Sequence, residues 1–329
     1  MPRIRTLALI ALAALSLTIP ALAEAKSHHK APPRTHVRVG IADQSSKMFD
    51  AKAYQRLRLK ITRYFIRWDA AKPNHLDQLA IADDFVRKAQ RDHVKVLMHI
   101  STSNLKPKRA YLPKVSEYKK WVGALVKHYR AMGINEWGAW NEENNKTQPT
   151  YRSPSRAAQY FKAMRQICRG CTVVALDIQD QSGATRYIQR FYHALGGYRK
   201  FARIVGIHNY SDTNRLYRHG SGTRAIINYV KHYNRATQFW LTETGGVVNF
   251  GRAFPCNRRH PKSAESRQNR AEANMFNLAR EFRSSIKRLY VYNWRGSGCR
   301  GMDVGLTRPN GSLRPSYSTF KKYLARFEK

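Results

Sequence analysis

Past residue 36 the chain alternates between two kinds of segment. Short apolar runs rich in β-branched and aromatic residues recur at 36–41, 61–68, 94–100, 134–140, 172–177, 202–208, 238–242 and 289–294. These are eight expected strands. Between them the apolar spacing changes to that of helices. Tyr118, Trp121, Val122, Leu125, Val126 and Tyr129 follow the i, i+3, i+4, i+7 rule, with Ser116 expected as N-cap. Ala157, Tyr160, Phe161, Met164 and Ile167 repeat the pattern behind Ser153 as cap and Pro154 at the first helical position. Phe276, Leu278, Ala279 and Phe282 mark a helix leading into the last strand. Strict β–α alternation predicts a parallel sheet, and eight units predict an α/β fold closed as a single-domain (β/α)8 TIM barrel over residues 36–329. An open doubly wound sheet is the other arrangement. It is disfavoured because the first strand runs into Ala42-Asp43-Gln44 rather than a G-x-G-x-x-G turn.

The first 23 residues stand apart. Arg3 and Arg5 open them, Thr6 to Leu22 is apolar, and Ala21-Leu22-Ala23 is an A-x-A site. This predicts a cleaved secretory signal peptide and hence a secreted, extracellular protein; the alternative is an uncleaved membrane anchor. Residues 24–35 (EAKSHHKAPPRT) are polar, Pro-containing and aperiodic, and read as a flexible linker. No later run is long and apolar enough to span a bilayer.

Composition adds one strong feature. Of 329 residues, 60 are Lys or Arg and 21 are Asp or Glu, for a formal charge of +39. Hydrophobic residues at 42 % suffice for a core and exclude general disorder. The basic residues are spread over nearly every segment, and no C2H2, RRM or KH pattern accompanies them, so no specific nucleic-acid partner is expected. Anionic cell-envelope polymers or acidic polysaccharides are natural partners for such an exported chain; a merely basic, solvated surface is the plain alternative. The chain is expected to act as a monomer.

The ends of the strands carry the chemistry. The fourth ends Trp137-Gly138-Ala139-Trp140-Asn141-Glu142-Glu143, and the seventh ends Trp240-Leu241-Thr242-Glu243-Thr244-Gly245. A carboxylate closing an apolar strand is unusual on solvation grounds. Two of them, on nearly opposite strands, would face each other across the barrel mouth, as cleavage of a glycosidic bond requires. At roughly 5 Å and an effective dielectric of about 20 they would repel by about 3 kcal/mol, so one would keep its proton near neutral pH.

Trp140-Asn141-Glu142 and the Glu243 segment resemble the motifs of clan A retaining glycoside hydrolases, nearest to the family 39 and family 5 branches. The resemblance implies a double-displacement glycosidase without a cofactor, acting on a polysaccharide or oligosaccharide; the chain's positive charge makes an acidic substrate one of the expectations. It implies Glu142 as general acid/base, Glu243 as nucleophile and Asn141 on the sugar 2-hydroxyl. Where the family has Pro after the acid, this chain has Glu143, so the adjacent pair stays open, with register favouring Glu142. His208-Asn209-Tyr210 resembles the clan's H-x-Y, which implies that Tyr210 donates to Glu243 and that His208 contacts the sugar or this network. A core histidine is the alternative for His208. Arg63 matches the clan's strand-two arginine; Arg67 lies on the same strand face, so spacing does not separate them. Trp294 would be the sugar platform, with a barrel-closing core Trp as the alternative, and Trp68 and Trp140 read as core. His99, ending strand three, is a further sugar-binding candidate.

The four cysteines fall into two pairs. Cys256 and Cys299 follow strands seven and eight on the functional face, and a disulfide there would brace the rim. Cys168 and Cys171 form a C-x-x-C at a helix end, where a local structural disulfide is expected rather than a redox motif. Because the pairs fall at opposite barrel ends, a four-Cys zinc site is rejected, and no H-E-x-x-H, P-loop or EF-hand pattern occurs, so no metal is expected. A catalytically inactive barrel that binds carbohydrate, or a scaffold for an anionic polymer, are the competing functions.

Overall fold

A computed structural model describes residues 35–106, 110–216 and 220–328. The expected signal peptide and all of the expected linker except Thr35 lie outside the described residues. The barrel strands are β1 (Arg38–Ala42), β2 (Ile61–Arg67), β3 (Lys95–Ser101), β4 (Glu136–Gly138), β5 (Thr172–Val174, resuming after Ala175 as Leu176–Gln179), β6 (Ile204–His208), β7 (Gln238–Thr244) and β8 (Ile286–Tyr292). All neighbours in the sheet are parallel. The first half of β5 pairs with β4 and the second half with β6, so the interrupted strand closes the ring. The result is a (β/α)8 barrel, as the alternation predicts.

The connections follow the apolar spacing. Helices Leu76–Arg91, Val115–Ala131, Pro154–Ile167, Ala184–Leu195, Ser221–Tyr233 and Lys262–Glu281 link successive strands, and Pro315–Leu324 follows β8. The β1–β2 link is the short one, holding the 3-10 turn Ser46–Met48 and the single-turn helix Lys52–Gln55. Ser153 and Pro154 hold the cap and first positions of their helix. Ser116 does not cap: its helix starts at Val115, with Glu117 accepting the Lys114 N–H at 2.7 Å, a bond that closes the turn one position earlier. The last strand starts and ends earlier than expected, which moves Trp294 beyond it.

The barrel interior is layered. Near its base Arg288 is bound to Glu136 and lies 3.8 Å above the Trp240 ring. An apolar layer of Ala42, Ile61, Leu97, Val174, Trp240 and Tyr290 follows. Above it the inward positions turn polar. On β2 the two-residue period sets Ile61, Arg63 and Phe65 on one face, and on β3 it does the same for Leu97, His99 and Ser101. The larger apolar cluster lies between strands and helices; it holds Trp68, Trp137 and Trp140.

Both expected disulfides are present, Cys168–Cys171 and Cys256–Cys299. They close loops of very different length, with separations of 3 and 43 residues. In the chain-entropy picture the longer loop contributes about 4 kcal/mol and the shorter about 2 kcal/mol. Urea unfolding should therefore show a larger loss for Cys256→Ser/Cys299→Ser than for Cys168→Ser/Cys171→Ser.

Candidate active site

Arg63 organises the site. Its side chain is fully buried inside the barrel. Nε donates to His99 Nδ1 at 2.8 Å, Nη1 to Glu243 Oε2 at 2.9 Å, and Nη2 to Asp177 Oδ2 at 3.2 Å and to Asn141 Oδ1. A buried guanidinium is tolerable only when its donors are satisfied in this way. Arg67 lies nearer the solvent and pairs with Asp69 at 2.7 Å, so the structure separates the two arginines.

Room for this network comes from two glycines. A Cβ on Gly138 would meet the His99 ring at 1.6 Å, and one on Gly206 would meet Asp177 at 1.9 Å. Strands β4 and β6 thus give up side-chain volume so that β3 and β5 can place polar groups at the axis.

His208 is the second buried cation. Nε2 lies 2.9 Å from Asp177 Oδ2 and Nδ1 lies 3.0 Å from Glu142 Oε1. Burial opposes its charge, but Asp177 and Glu243 overcome this and push its pKa up to about 10. Asp177 is likewise opposed by burial, yet His208 and Arg63 hold it well below the usual carboxylate range. His99 goes the other way: burial depresses its pKa to about 3, leaving a neutral ring whose Nδ1 accepts from Arg63.

The two strand-end glutamates meet above this layer. Single carboxylate oxygens of Glu142 and Glu243 and one nitrogen of His208 all lie within 4.8 Å of one another. Tyr210 Oη donates to Glu243 Oε1 at 3.0 Å, and Asn145 Nδ2 donates to Glu142 Oε2 at 2.9 Å, with Gln179 Nε2 on Oε1. Burial raises the pKa of Glu243 and the charge of Glu142 adds to this, while His208 and Arg63 pull it down. Burial also raises the Tyr210 hydroxyl far above its usual value, so it stays a donor. A cation among Glu142, His208 and Glu243 would meet Arg63 and an imidazolium bonded to carboxylates through both nitrogens. The set suits proton transfer, not metal binding.

Local backbone irregularity aims both carboxylates. On β7, Thr242 bonds Asp177 and Glu243 bonds Arg63, so two consecutive residues point inward. The register of β7 slips against both neighbours here, between Gly206 and His208 on β6 and between Leu289 and Val291 on β8. Such an irregularity re-aims one side chain against the strand alternation. After β4 the same is achieved at Glu142, whose φ of 50° lies in the left-handed region. Glu143 then turns inward. It is fully buried, accepts the Asp177 N–H at 2.7 Å, and burial raises its pKa well above the carboxylate range. Of the adjacent pair, Glu142 alone lines the cavity.

That cavity, of 440 Å³, is lined by Asn141, Glu142, His208, Tyr210 and Glu243. Two expected sugar contacts are not there. His99 is sealed beneath Arg63 and supports it. Trp294 is buried edge-on between Tyr54 and Tyr317, with ring centroids at 5.7 and 5.9 Å, because β8 ends at Tyr292 and the chain has turned away before Trp294. Tyr292, the strand's last residue, lines the cavity instead. Asp177, Gln179, Asn145 and Tyr292 were not singled out in the sequence. Only Asp177 carried a signal, as a third carboxylate closing an apolar strand.

No protein-family profile matches the chain, and no curated protein sequence matches it. Solved structures do resemble it in fold. A family 10 endoxylanase from a sugarcane soil metagenome superposes with a TM-score of 0.62 at 14 % identity, covering 88 % of this chain and 96 % of that one. Xylanase Xyn10A of Cellvibrio japonicus, as a thermostable mutant, gives 0.61 at 12 % identity, covering 90 % and 98 %. A family 39 glycoside hydrolase of Bacteroides cellulosilyticus WH2 gives 0.57 at 16 % identity, covering 89 % of this chain but 64 % of the longer neighbour. The chain therefore has the barrel fold of these enzymes.

The His208 shift makes a prediction about stability. Its pKa rises from an ordinary 6.5 to about 10 on folding. The stabilisation it gives is full below about pH 6.5, declines above that, and is lost as pH passes through about 10. Urea unfolding between pH 6 and 10.5 should show this decline in the wild type and a flatter profile in His208→Gln.

Proposed function

We propose that the protein is a retaining glycoside hydrolase, exported to an oxidising compartment, that cleaves O-glycosidic bonds by double displacement. The observation that carries the reading is the separation of Glu142 and Glu243. Carboxyl groups about 5 to 5.5 Å apart suit a retaining pair, whereas inverting pairs stand about 6.5 to 9.5 Å apart to admit a water. One carboxylate oxygen of each lies within 4.8 Å of the other, which supports the retaining class. The xylanase and family 39 names of the fold neighbours support the same chemistry. The two disulfides favour export, and among the described residues no helix is long and apolar enough to cross a membrane.

The roles follow from the donors. Glu243 touches the permanently charged Arg63 and the neutral donor Tyr210, which favour its ionised form and orient it as nucleophile. In this reading Glu142 is the acid that delivers a proton to the departing oxygen. Attack by Glu243 on the anomeric carbon breaks the glycosidic bond and forms a glycosyl ester. Glu142, now a carboxylate, takes a proton from water, whose oxygen attacks the same carbon and releases Glu243. Asn141, held by Arg63 and lining the cavity, would contact the sugar next to its anomeric carbon in this reading.

Glu243→Gln should lower turnover of every hydrolysed glycoside by about 10⁴-fold or more, the scale seen when a covalent nucleophile is lost. Glu142→Ala should lose mainly substrates with poor leaving groups. With activated aryl glycosides, azide should restore its turnover and yield a glycosyl azide of the substrate's anomeric configuration, read by NMR. Glu143→Gln should keep turnover within about threefold, since its carboxyl is buried off the cavity and burial favours its uncharged form, which an amide resembles. Loss of activity in Glu143→Gln with full activity in Glu142→Ala would reverse the assignment.

A further inference from the structure

The carboxylate cavity has two chemically different walls. Toward β4–β6 it offers hydrogen-bonding side chains, among them Asn141, Asn145 and Gln179. Toward the loops after β7 and β8 it offers Val247, Phe250, Ala253, Phe254 and Met302, joined by Leu105 from the loop after β3. None of these six side chains has a nitrogen or oxygen. Three of them are largely open to solvent, Leu105 at 58 %, Phe250 at 54 % and Met302 at 37 % exposure. An exposed apolar patch continuous with a reaction cavity marks a binding surface.

The patch is built into the fold. Asn249–Phe250 pairs antiparallel with Met302–Asp303, so Phe250 and Met302 sit side by side on a rim ribbon. The Cys256–Cys299 disulfide joins the same two loops. Asp303 is locked to Arg314 at 2.7 Å, and the Arg267 guanidinium donates to the carbonyls of Val248 and Pro255 and lies 5.8 Å from the Phe254 ring.

A wall for further sugar units would need hydrogen-bonding groups beside its apolar faces, because each sugar brings several hydroxyls that lose water on binding. This wall has none on its side chains. Arg215 is the one Lys or Arg among the described residues that line the cavity. We infer that the substrate is an amphiphilic glycoside, whose sugar enters between Glu142 and Glu243 while an attached alkyl or aryl group lies on Phe250, Met302 and Leu105. The inference rests on the glycosidase reading for the place of the sugar, but its test does not require turnover.

Calorimetry on the full chain carrying Glu243→Gln would compare methyl and octyl glycosides of glucose, xylose and galactose below the micelle concentration. A methyl glycoside bearing a 6-O-octanoyl group serves as a second arm. At least one octyl or octanoyl compound should bind tenfold or more tightly than its methyl partner, and the arm that gains shows which end of the sugar carries the chain. Adding Phe250→Ser and Met302→Ser should cut the ratio below threefold. Leu105→Ser, on a separate loop, should reduce it independently should the double substitution fail to fold. Equal binding of methyl and octyl compounds overturns the inference, as does a gain that survives all three substitutions. So does tighter binding of disaccharides that depends on Phe250 and Met302. Absence of hydrolysis in the wild type together with a rim-dependent octyl gain would defeat the glycosidase reading and leave this one standing. Hydrolysis of oligosaccharides without an octyl preference would do the reverse.

Discussion

Burying the Arg63 guanidinium inside a barrel is the constraint from which the rest of the site follows. An unpaired charge there would cost several kcal/mol. Its donors must therefore meet acceptors from four other strands or strand ends, and they do so at His99, Asn141, Asp177 and Glu243. Each acceptor then has its own requirement. His99 has to be neutral, and burial makes it so. Asp177 has to be charged, which calls for His208 as a second cation. Glycine has to stand at 138 and 206, because any side chain would displace one of these groups. The floor of the cavity is thus a single polar layer whose members depend on one another.

Much of the fold was legible because burial writes itself into residue spacing. The apolar runs located all eight strands, and the helical spacing located three of the long helices, Val115–Ala131, Pro154–Ile167 and Lys262–Glu281. What failed lay at boundaries, where spacing is weakest. Extending the last strand to Trp294 made that residue a strand end facing the cavity; the strand stops at Tyr292, and Trp294 packs between two tyrosines. Ser116 looked like a cap because its residue type suits one, but the Glu117 bond to the Lys114 N–H starts the helix earlier.

The site was legible in its carboxylates and partly hidden in their supports. Glu142 and Glu243 stand out because charged residues rarely close apolar strands. Their orientation was not readable: strict alternation would send either Thr242 or Glu243 outward, and only the register slip lets both face in. The Glu142–Glu143 ambiguity has the same origin, since a positive φ at Glu142 is a tertiary outcome that no residue type announces. Asp177 satisfied the very criterion that singled out Glu142 and Glu243, yet without a matching motif it carried no role. Its importance lies in His208 and Arg63, which lie 31 and 114 positions away in the chain and 2.9 and 3.2 Å away in space.

Counting charge in the buried cluster links its two catalytic states. Arg63 and His208 are positive, and Asp177 is negative. Neutrality then calls for one ionised carboxylate in the glutamate pair, which is one proton shared between Glu142 and Glu243. In the proposed reaction, formation of the glycosyl ester removes the charge of Glu243 as Glu142 gives its proton to the departing group. The cluster is again neutral with Glu142 ionised, and a protonated Glu142 would leave it with an uncompensated positive charge. His208 lies 3.0 Å from Glu142. In that proposed reaction the buried layer touches Glu243 through Arg63 and Glu142 through His208.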